Sequence, residues 1–369
     1  MSTWNPVGGF SDVYSELIWR YIRDYGLYTN PMTGEPYPMR STYDVETNYH
    51  FDENGTLVGD LSVPSEVMFY NATADEWQSV GDNATAAARV VFNYKLSNWH
   101  HSKPMITAEL LYPWAFMWEW STEDYPGDPY YDDEYASDAI PFLENVVGVE
   151  IINDTAIAVY GKFVHSVFPA LTADYYTTWP VMPYEVYTAM ERVVANGTYP
   201  WYGYPDGLDV IAPTCVAVLK EELETLKNET YVSPYLKIPG YTPTNAEVLE
   251  RYQAAIDWAD TYGHLCISNG PYWLYTYDPE NLFLELRAFR DPTYPFTPDY
   301  WKERLFLERM RIEKIEAPTL VTIGEAIPIS VYPTLVREYP EPGEYPATKG
   351  YIEVSLKDAE GNVVYGPVA

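Results

Sequence analysis

Asn98-Trp-His-His-Ser-Lys-Pro-Met-Ile-Thr-Ala-Glu-Leu110 is the stretch on which the fold turns. It follows Phe92-Asn-Tyr-Lys-Leu96, the end of a β-rich run over 88–96. Pro104 breaks that strand, and Thr107-Ala-Glu109 has the residue types that open a helix. Pro113 limits or kinks that helix. Adjacent His100 and His101 invite a metal reading, but neighbours on a strand point to opposite faces and diverge on a helix too. A turn before a helix is the simpler reading. The helix then enters an aromatic belt, Tyr112-Pro-Trp114-Ala-Phe116-Met117-Trp118-Glu119-Trp120. Rings at helical spacing are core residues first, although large rigid aromatics also suit a ligand cleft.

Outward from this stretch, apolar periodicity predicts helices over about 11–25, 183–195, 214–227 and 245–262. Ser11 is expected to cap the first, with Val13, Leu17, Ile18, Tyr21 and Ile22 as its apolar stripe and Gly26 as its end. The last is the clearest. Thr244 caps it, Glu247 and Arg251 form an i,i+4 pair, Val248, Leu249, Tyr252, Ala255, Ile256 and Ala259 make its buried side, and Gly263 stops it. Two hairpins are expected: 147–152 with 156–161 around Asn153-Asp-Thr155, and 272–277 with 282–289 around Asp278-Pro-Glu-Asn281. Beyond about residue 309 the helix signals stop. Thr319–Ile323, Ile327–Tyr332, Tyr351–Lys357 and Val363–Tyr365 read as successive antiparallel strands, with a Pro-rich loop over 333–347. The chain therefore divides into a mixed α/β body over 1–308 and a β-rich segment over 309–369. The end right after a strand reads as truncation or processing.

The chain has 369 residues, 54 Asp plus Glu against 22 Lys plus Arg, and a formal net charge of -32. That balance argues against nucleic acid and anionic membrane surfaces, which both need basic patches. At 47% hydrophobic and 17% aromatic the chain is too apolar for disorder. No run of 18 apolar residues could span a bilayer. The start, Met1-Ser-Thr-Trp-Asn-Pro6, is no signal peptide, which leaves a cytosolic protein, a mature form or a fragment.

Sequons favour the outside of a cell. Asn-X-Thr occurs at Asn54, Asn71, Asn83, Asn153, Asn196 and Asn228, where chance gives about two matches. The expectation is a glycosylated, extracellular chain at the cell surface. Cys215 and Cys266 could pair there or remain buried thiols. Only Gln78 and Gln253 represent glutamine, and 31 Pro are present, which fits a heat-adapted chain.

One acidic loop, Glu123 to Asp138, carries seven acids in sixteen residues. Asp128, Asp132, Asp133 and Glu134 are the candidate ligands for calcium, the one cofactor the sequence suggests, although the spacing is not that of an EF-hand. A solvated loop is the other reading. No G-x-S-x-G, H-E-x-x-H, P-loop or GxGxxG occurs, so no enzyme is expected.

Taken in order, four pieces resemble the dipeptide/oligopeptide-type solute-binding proteins of ABC transporters (extracellular solute-binding protein family 5), in their archaeal cell-surface form. They are Asn5-Pro-Val-Gly-Gly-Phe-Ser-Asp-Val-Tyr14 with Gly34-Glu-Pro-Tyr-Pro38; Phe92–Leu96 with Trp99–Glu109; the hairpin Val147–Tyr160; and Ser268-Asn-Gly-Pro-Tyr-Trp-Leu-Tyr-Thr-Tyr-Asp-Pro279 with Arg290-Asp291 and Asp299-Tyr-Trp301. The resemblance covers about residues 4–301. Ser102 replaces a usual Gly, and only about 68 residues follow Trp301, where the family carries a long second lobe.

The resemblance implies a lobe of a type II periplasmic-binding-protein-like α/β fold with a C-terminal antiparallel, sandwich-like segment. It implies capture of peptides, or of oligosaccharides, for an ABC permease. Trp99, Trp118, Trp120 and Tyr272 are the candidate cleft residues, chosen for their closeness to these motifs. The implied partners are the ligand, the permease, and the remaining half of the binding protein or copies of this chain. The competing expectation is structural: a glycosylated surface-layer or filament subunit built on the same scaffold, whose β-rich end donates or accepts a strand.

Overall fold

The computed structural model describes residues 3–203, 206–320, 326–348, 350 and 352–368. Two units divide the chain, Met1–Thr29 with Glu35–Pro295, and Asn30–Gly34 with Phe296–Ala369. The division falls before the expected boundary at 308, because a strand starting at Leu307 belongs to the second unit. Among the described residues the architecture is mixed α/β, with seven α-helices and several antiparallel sheets.

The first unit is built on six strands: β1 (Ser41–Thr47), β2 (Met68–Asn71), β3 (Glu76–Ser79), β4 (Ala88–Tyr94), β5 (Val146–Asn153) and β6 (Ala156–Gly161). Their order is β3-β2-β5-β6-β4-β1, with antiparallel neighbours throughout. Strand β4 shows why. Ala88, Val90, Phe92 and Tyr94 are buried and alternate with the less buried Arg89, Val91 and Asn93, the period-2 pattern of a strand with one face on the main core. Strand β6 is buried on both faces: Ile157 and Val159 join the main core, and Ala158 and Tyr160 a smaller cluster with Val63, Val67 and Ala86.

Helices cover the main core: α1 (Val13–Ile22), α2 (Thr107–Trp120), α3 (Asp133–Leu143), α4 (Pro169–Tyr176), α5 (Tyr184–Ala195), α6 (Pro213–Glu229) and α7 (Asn245–Tyr262). Helix α7 has its expected bounds but not its expected ion pair: Arg251 turns inward to Glu109 and Glu185, Glu247 returns to Thr244, and Leu249 is only half-buried. Thr244 and Glu247 form a reciprocal capping box, and Gly263 ends the helix at φ 74°. Helix α2 runs through Pro113 for fourteen residues. The expectation for α1 needs correction. Asp12, not Ser11, caps it, accepting from the Tyr14 and Ser15 amides at 2.8 and 3.0 Å. Its buried side is Ser15, Trp19 and Ile22, while Val13, Leu17 and Tyr21 face solvent. The Trp4 indole N–H donates to Ser15 Oγ at 2.9 Å and so turns that side inward. The hairpin β7 (Tyr272–Asp278) and β8 (Phe283–Ala288) lies beside α1, with Tyr21 and Tyr272 edge to face at 6.2 Å.

Segment 268–270 pins the unit together. Asn269 Oδ1 accepts from the Asp24 amide and the Trp179 indole, both at 3.2 Å, and its amide donates to the Pro180 carbonyl. Arg40 is fully buried, with Nε 2.6 Å from Asp24 Oδ2 and NH2 donating to the Asn269 carbonyl at 2.8 Å. Burial still holds the Asp24 carboxyl above its ordinary value, against the pull of Arg40. Gly270 donates to the Ile22 carbonyl, and a Cβ there would lie 2.5 Å from that same oxygen. Gly270→Ala is expected to lower stability by about 1–3 kcal/mol in urea denaturation, because the contact is backbone and cannot swing away.

The second unit holds β9 (Leu307–Glu316), β10 (Ser330–Tyr339) and β11 (Gly343–Pro346) as one antiparallel sheet, and β12 (Val354–Lys357) with β13 (Val363–Val368) as a hairpin. The expected strand Thr319–Ile323 lies partly outside the described residues, and 319–320 are not strand. The Pro-rich stretch 333–347, expected as a loop, instead supplies the end of β10 and all of β11, and β9 was not expected. Cys215 and Cys266 are both free and buried. No helix of the described residues is long and apolar enough to cross a membrane.

Candidate functional site

The histidine-bearing stretch that opens the motif is used for structure. The two rings diverge. His100 bonds the Gly270 carbonyl through Nε2 at 3.1 Å, and His101 bonds Glu185 through Nε2 at 2.6 Å. Burial lowers both, His100 to about 3, so both rings are neutral at pH 7. Around His101 lies a buried ionic cluster. Arg251 NH2 is 2.5 Å from Glu109 and 2.8 Å from Glu185, and its NH1 donates to the Pro104 carbonyl. Burial alone would raise the Glu185 carboxyl, but Arg251 and His101 together hold it below its ordinary value. Glu109 also accepts from the Trp99 indole at 3.1 Å and from the Ile106 and Tyr184 amides. Trp99 is therefore a core residue, completely enclosed.

Trp120 is enclosed as well, and its indole N–H donates to Glu191 Oε1 at 2.9 Å. Trp118 is half-buried, edge-on to Trp77 at 6.1 Å. Neither ring lines a cavity, but Glu191 does: with Asp75, Glu119, Arg192, Tyr130, Tyr231 and Tyr235 it borders a small space of about 130 Å³. Burial pushes Glu191 up to about 7, even though Tyr112 and Trp120 bond its oxygens. Glu119 is pushed up to about 8, by burial first and then by its acidic neighbours, Asp75 foremost. Glu119 Oε2 is enclosed without a hydrogen-bond partner among the described residues. Arg192 already brings a cation to its wall, and the space is too small for a peptide. Helix periodicity shows Glu191 only as an acid on an apolar side of α5, which was the signal available for it.

The acidic loop is occupied with its own backbone. Asp128 accepts from the Asp124 and Tyr130 amides, and Asp132 caps α3 through the Tyr135 amide. Asp133 and Glu134 form the first turn of α3. Among the described residues no three His, Cys, Asp or Glu side chains converge as metal ligands.

Tyr272, the fourth candidate, is exposed but lies at the other end of the β7–β8 hairpin from an open groove of about 740 Å³ between α1 and the hairpin's turn, and does not line it. Tyr14, Ile18, Tyr277, Leu282, Phe283 and Leu284 form its apolar walls, and Asp12 and Asp278 its charged ones, with no Lys or Arg among the lining residues. Asp278 accepts from the Asn281 amide and side chain, which hold its carboxyl below the ordinary range and keep it ionised. Leu282, 87% exposed, and Tyr14, 75% exposed, are costly on a surface facing only water. The turn chemistry of Asp278-Pro-Glu-Asn281 foretold the hairpin, but nothing local told that Tyr14 and Ile18 of α1 would face it across a groove.

Of the six sequon asparagines, Asn54, Asn83, Asn153, Asn196 and Asn228 are exposed. Asn71 is half-buried and engaged with Gln78 and the Ala74 amide. Compared with known proteins, the chain matches no family model and no curated sequence, so its function has to be read from these surfaces.

Proposed function

We propose that the chain is the extracellular solute-binding component of an ABC importer, that its α/β unit is a lobe of the type II periplasmic-binding-protein kind, and that it captures peptides in the groove between α1 and the β7–β8 hairpin. The groove carries the reading. Its volume of about 740 Å³ lies in the range of ligand sites, and its walls are apolar with two fixed carboxylates. A peptide with Leu- or Phe-like side chains and a Lys or Arg fits that pattern: apolar anchors against Ile18 and Phe283, cation toward Asp278. The exposed sequons support an outward location.

Calorimetry with pools of basic-apolar peptides, acidic peptides and oligosaccharides tests the reading. Basic-apolar peptides are expected to bind. Ile18→Asp and Leu282→Asp are each expected to weaken them roughly tenfold, the loss of one apolar anchor. Leu282→Asp should leave the melting temperature nearly unchanged, because the side chain is exposed already. No binding by any peptide pool, binding of sugars alone, or full affinity in both variants would sink the proposal.

A further inference from the structure

We propose that the free edge of β9 pairs antiparallel with β9 of a second copy of this chain, centred on Arg311. Strand β9 bonds β10 on one side, and among the described residues it has no strand on the other. All ten of its residues are exposed, Ile315 at 60% and Ile312 at 49% among them. A long, exposed edge with apolar side chains is a template for another strand, since among the described residues no strand bonds its outer N–H and C=O groups.

The sequence of the strand, Leu307-Glu-Arg-Met-Arg-Ile-Glu-Lys-Ile-Glu316, says which strand. A two-fold axis through Arg311 sets Arg309 against Glu313, Met310 against Ile312 and Glu308 against Lys314. Each cross-strand pair is then opposite in charge or apolar on both sides. Neighbouring registers do worse. An axis through Met310 sets Arg309 against Arg311, and an axis through Ile312 sets Glu308 against Glu316. Moving the axis by one residue thus replaces attraction with repulsion, which fixes the register. At the axis Arg311 meets itself, but in its own chain each guanidinium is held by Glu344 at 2.9 Å and by Glu313. The bulge between Ile312 and Lys314 leaves Glu313 without a partner in the β10 ladder and ends the regular run Glu308–Ile312, so the pairs that Glu313 and Lys314 make lie at the margin of the interface.

Charge also selects this place for two acidic chains to meet. The chain carries -32, yet β9 has three acids, Glu308, Glu313 and Glu316, against three bases, Arg309, Arg311 and Lys314. Residues 296–369 hold 8 Lys plus Arg against 12 Asp plus Glu, so most of the excess lies elsewhere.

Sedimentation of the full chain is the test, and the wild type is expected to form dimers. Arg309→Glu turns two attractive pairs per dimer repulsive and should weaken self-association roughly tenfold or more. The double change Arg309→Glu with Glu313→Arg should restore it. Both positions are exposed, but Arg309 bonds Glu338 at 2.8 Å and Glu313 bonds Arg311 within the chain, so circular dichroism and melting of each variant accompany the sedimentation. Arg311→Cys should form a disulfide between copies on mild oxidation, because a residue facing itself across antiparallel strands brings its Cα atoms within about 5.5 Å. Met310→Cys should not. A wild type that stays monomeric at its highest soluble concentration overturns the proposal. So does a dimer that persists in Arg309→Glu and fails to cross-link through position 311, since it is built on another face.

Discussion

Replacing Arg251 by methionine is expected to cost about 3–5 kcal/mol of stability at pH 7. Among the described residues Arg251 is the only cation against two enclosed carboxylates, Glu109 at 2.5 Å and Glu185 at 2.8 Å. Methionine fills much of the volume, so the loss is electrostatic: two buried charges remain, with only amides, the Trp99 indole and neutral His101 to stabilise them. The triple variant Glu109→Gln, Glu185→Gln and Arg251→Met should recover most of the loss, because no uncompensated charge remains. Urea denaturation of the three chains decides the matter. A single variant within 1 kcal/mol of wild type would mean that water or a rearranged side chain replaces the guanidinium.

The second large effect is a fall in stability as pH rises. The Glu191 carboxyl stands at about 7 in the fold and at the ordinary 4.5 when unfolded. Its folded value is raised, so its favourable contribution is complete below about pH 4.5 and is lost as pH climbs through 7. The difference amounts to about 3 kcal/mol between pH 4 and pH 8. Glu119, raised to about 8, acts in the same direction. Glu191→Gln should remove much of the slope and exceed the wild type in melting temperature at pH 8. The Tyr112 hydroxyl, which also lies 2.9 Å from Thr188 Oγ1, can turn to accept from the new amide. Equal slopes in melting scans from pH 4 to pH 8 would show that the overall acidic charge, and not this carboxyl, sets the trend.

Local chemistry made part of this fold legible. The box of Thr244 and Glu247 with Gly263 fixed α7 to the residue, and Asn153-Asp-Thr155 and Asp278–Asn281 fixed two hairpins, because caps and turns depend on neighbours in sequence. The order β3-β2-β5-β6-β4-β1 did not show, since it depends on pairings across many residues, such as Val149 with Met68. The stripe of α1 misled for a physical reason: apolar periodicity says that one side is apolar, not that something covers it. Trp99 and Trp120 illustrate the same limit. Their place beside the motif was clear, but an indole bonded to a buried carboxylate and one lining a cleft have identical sequences. The Glu119–Glu191 cavity was hidden among 54 acids.

The two thiols have a practical consequence. Cys215 and Cys266 are unpaired and enclosed, and burial raises the Cys266 thiol further from ionisation. Oxidants act on exposed thiolate, and neither group offers it. A cell's reducing interior and its oxidising surroundings therefore leave these two thiols in the same state. The chain can be produced in one and assayed in the other without a reshuffling step, and a single introduced cysteine will report only on itself.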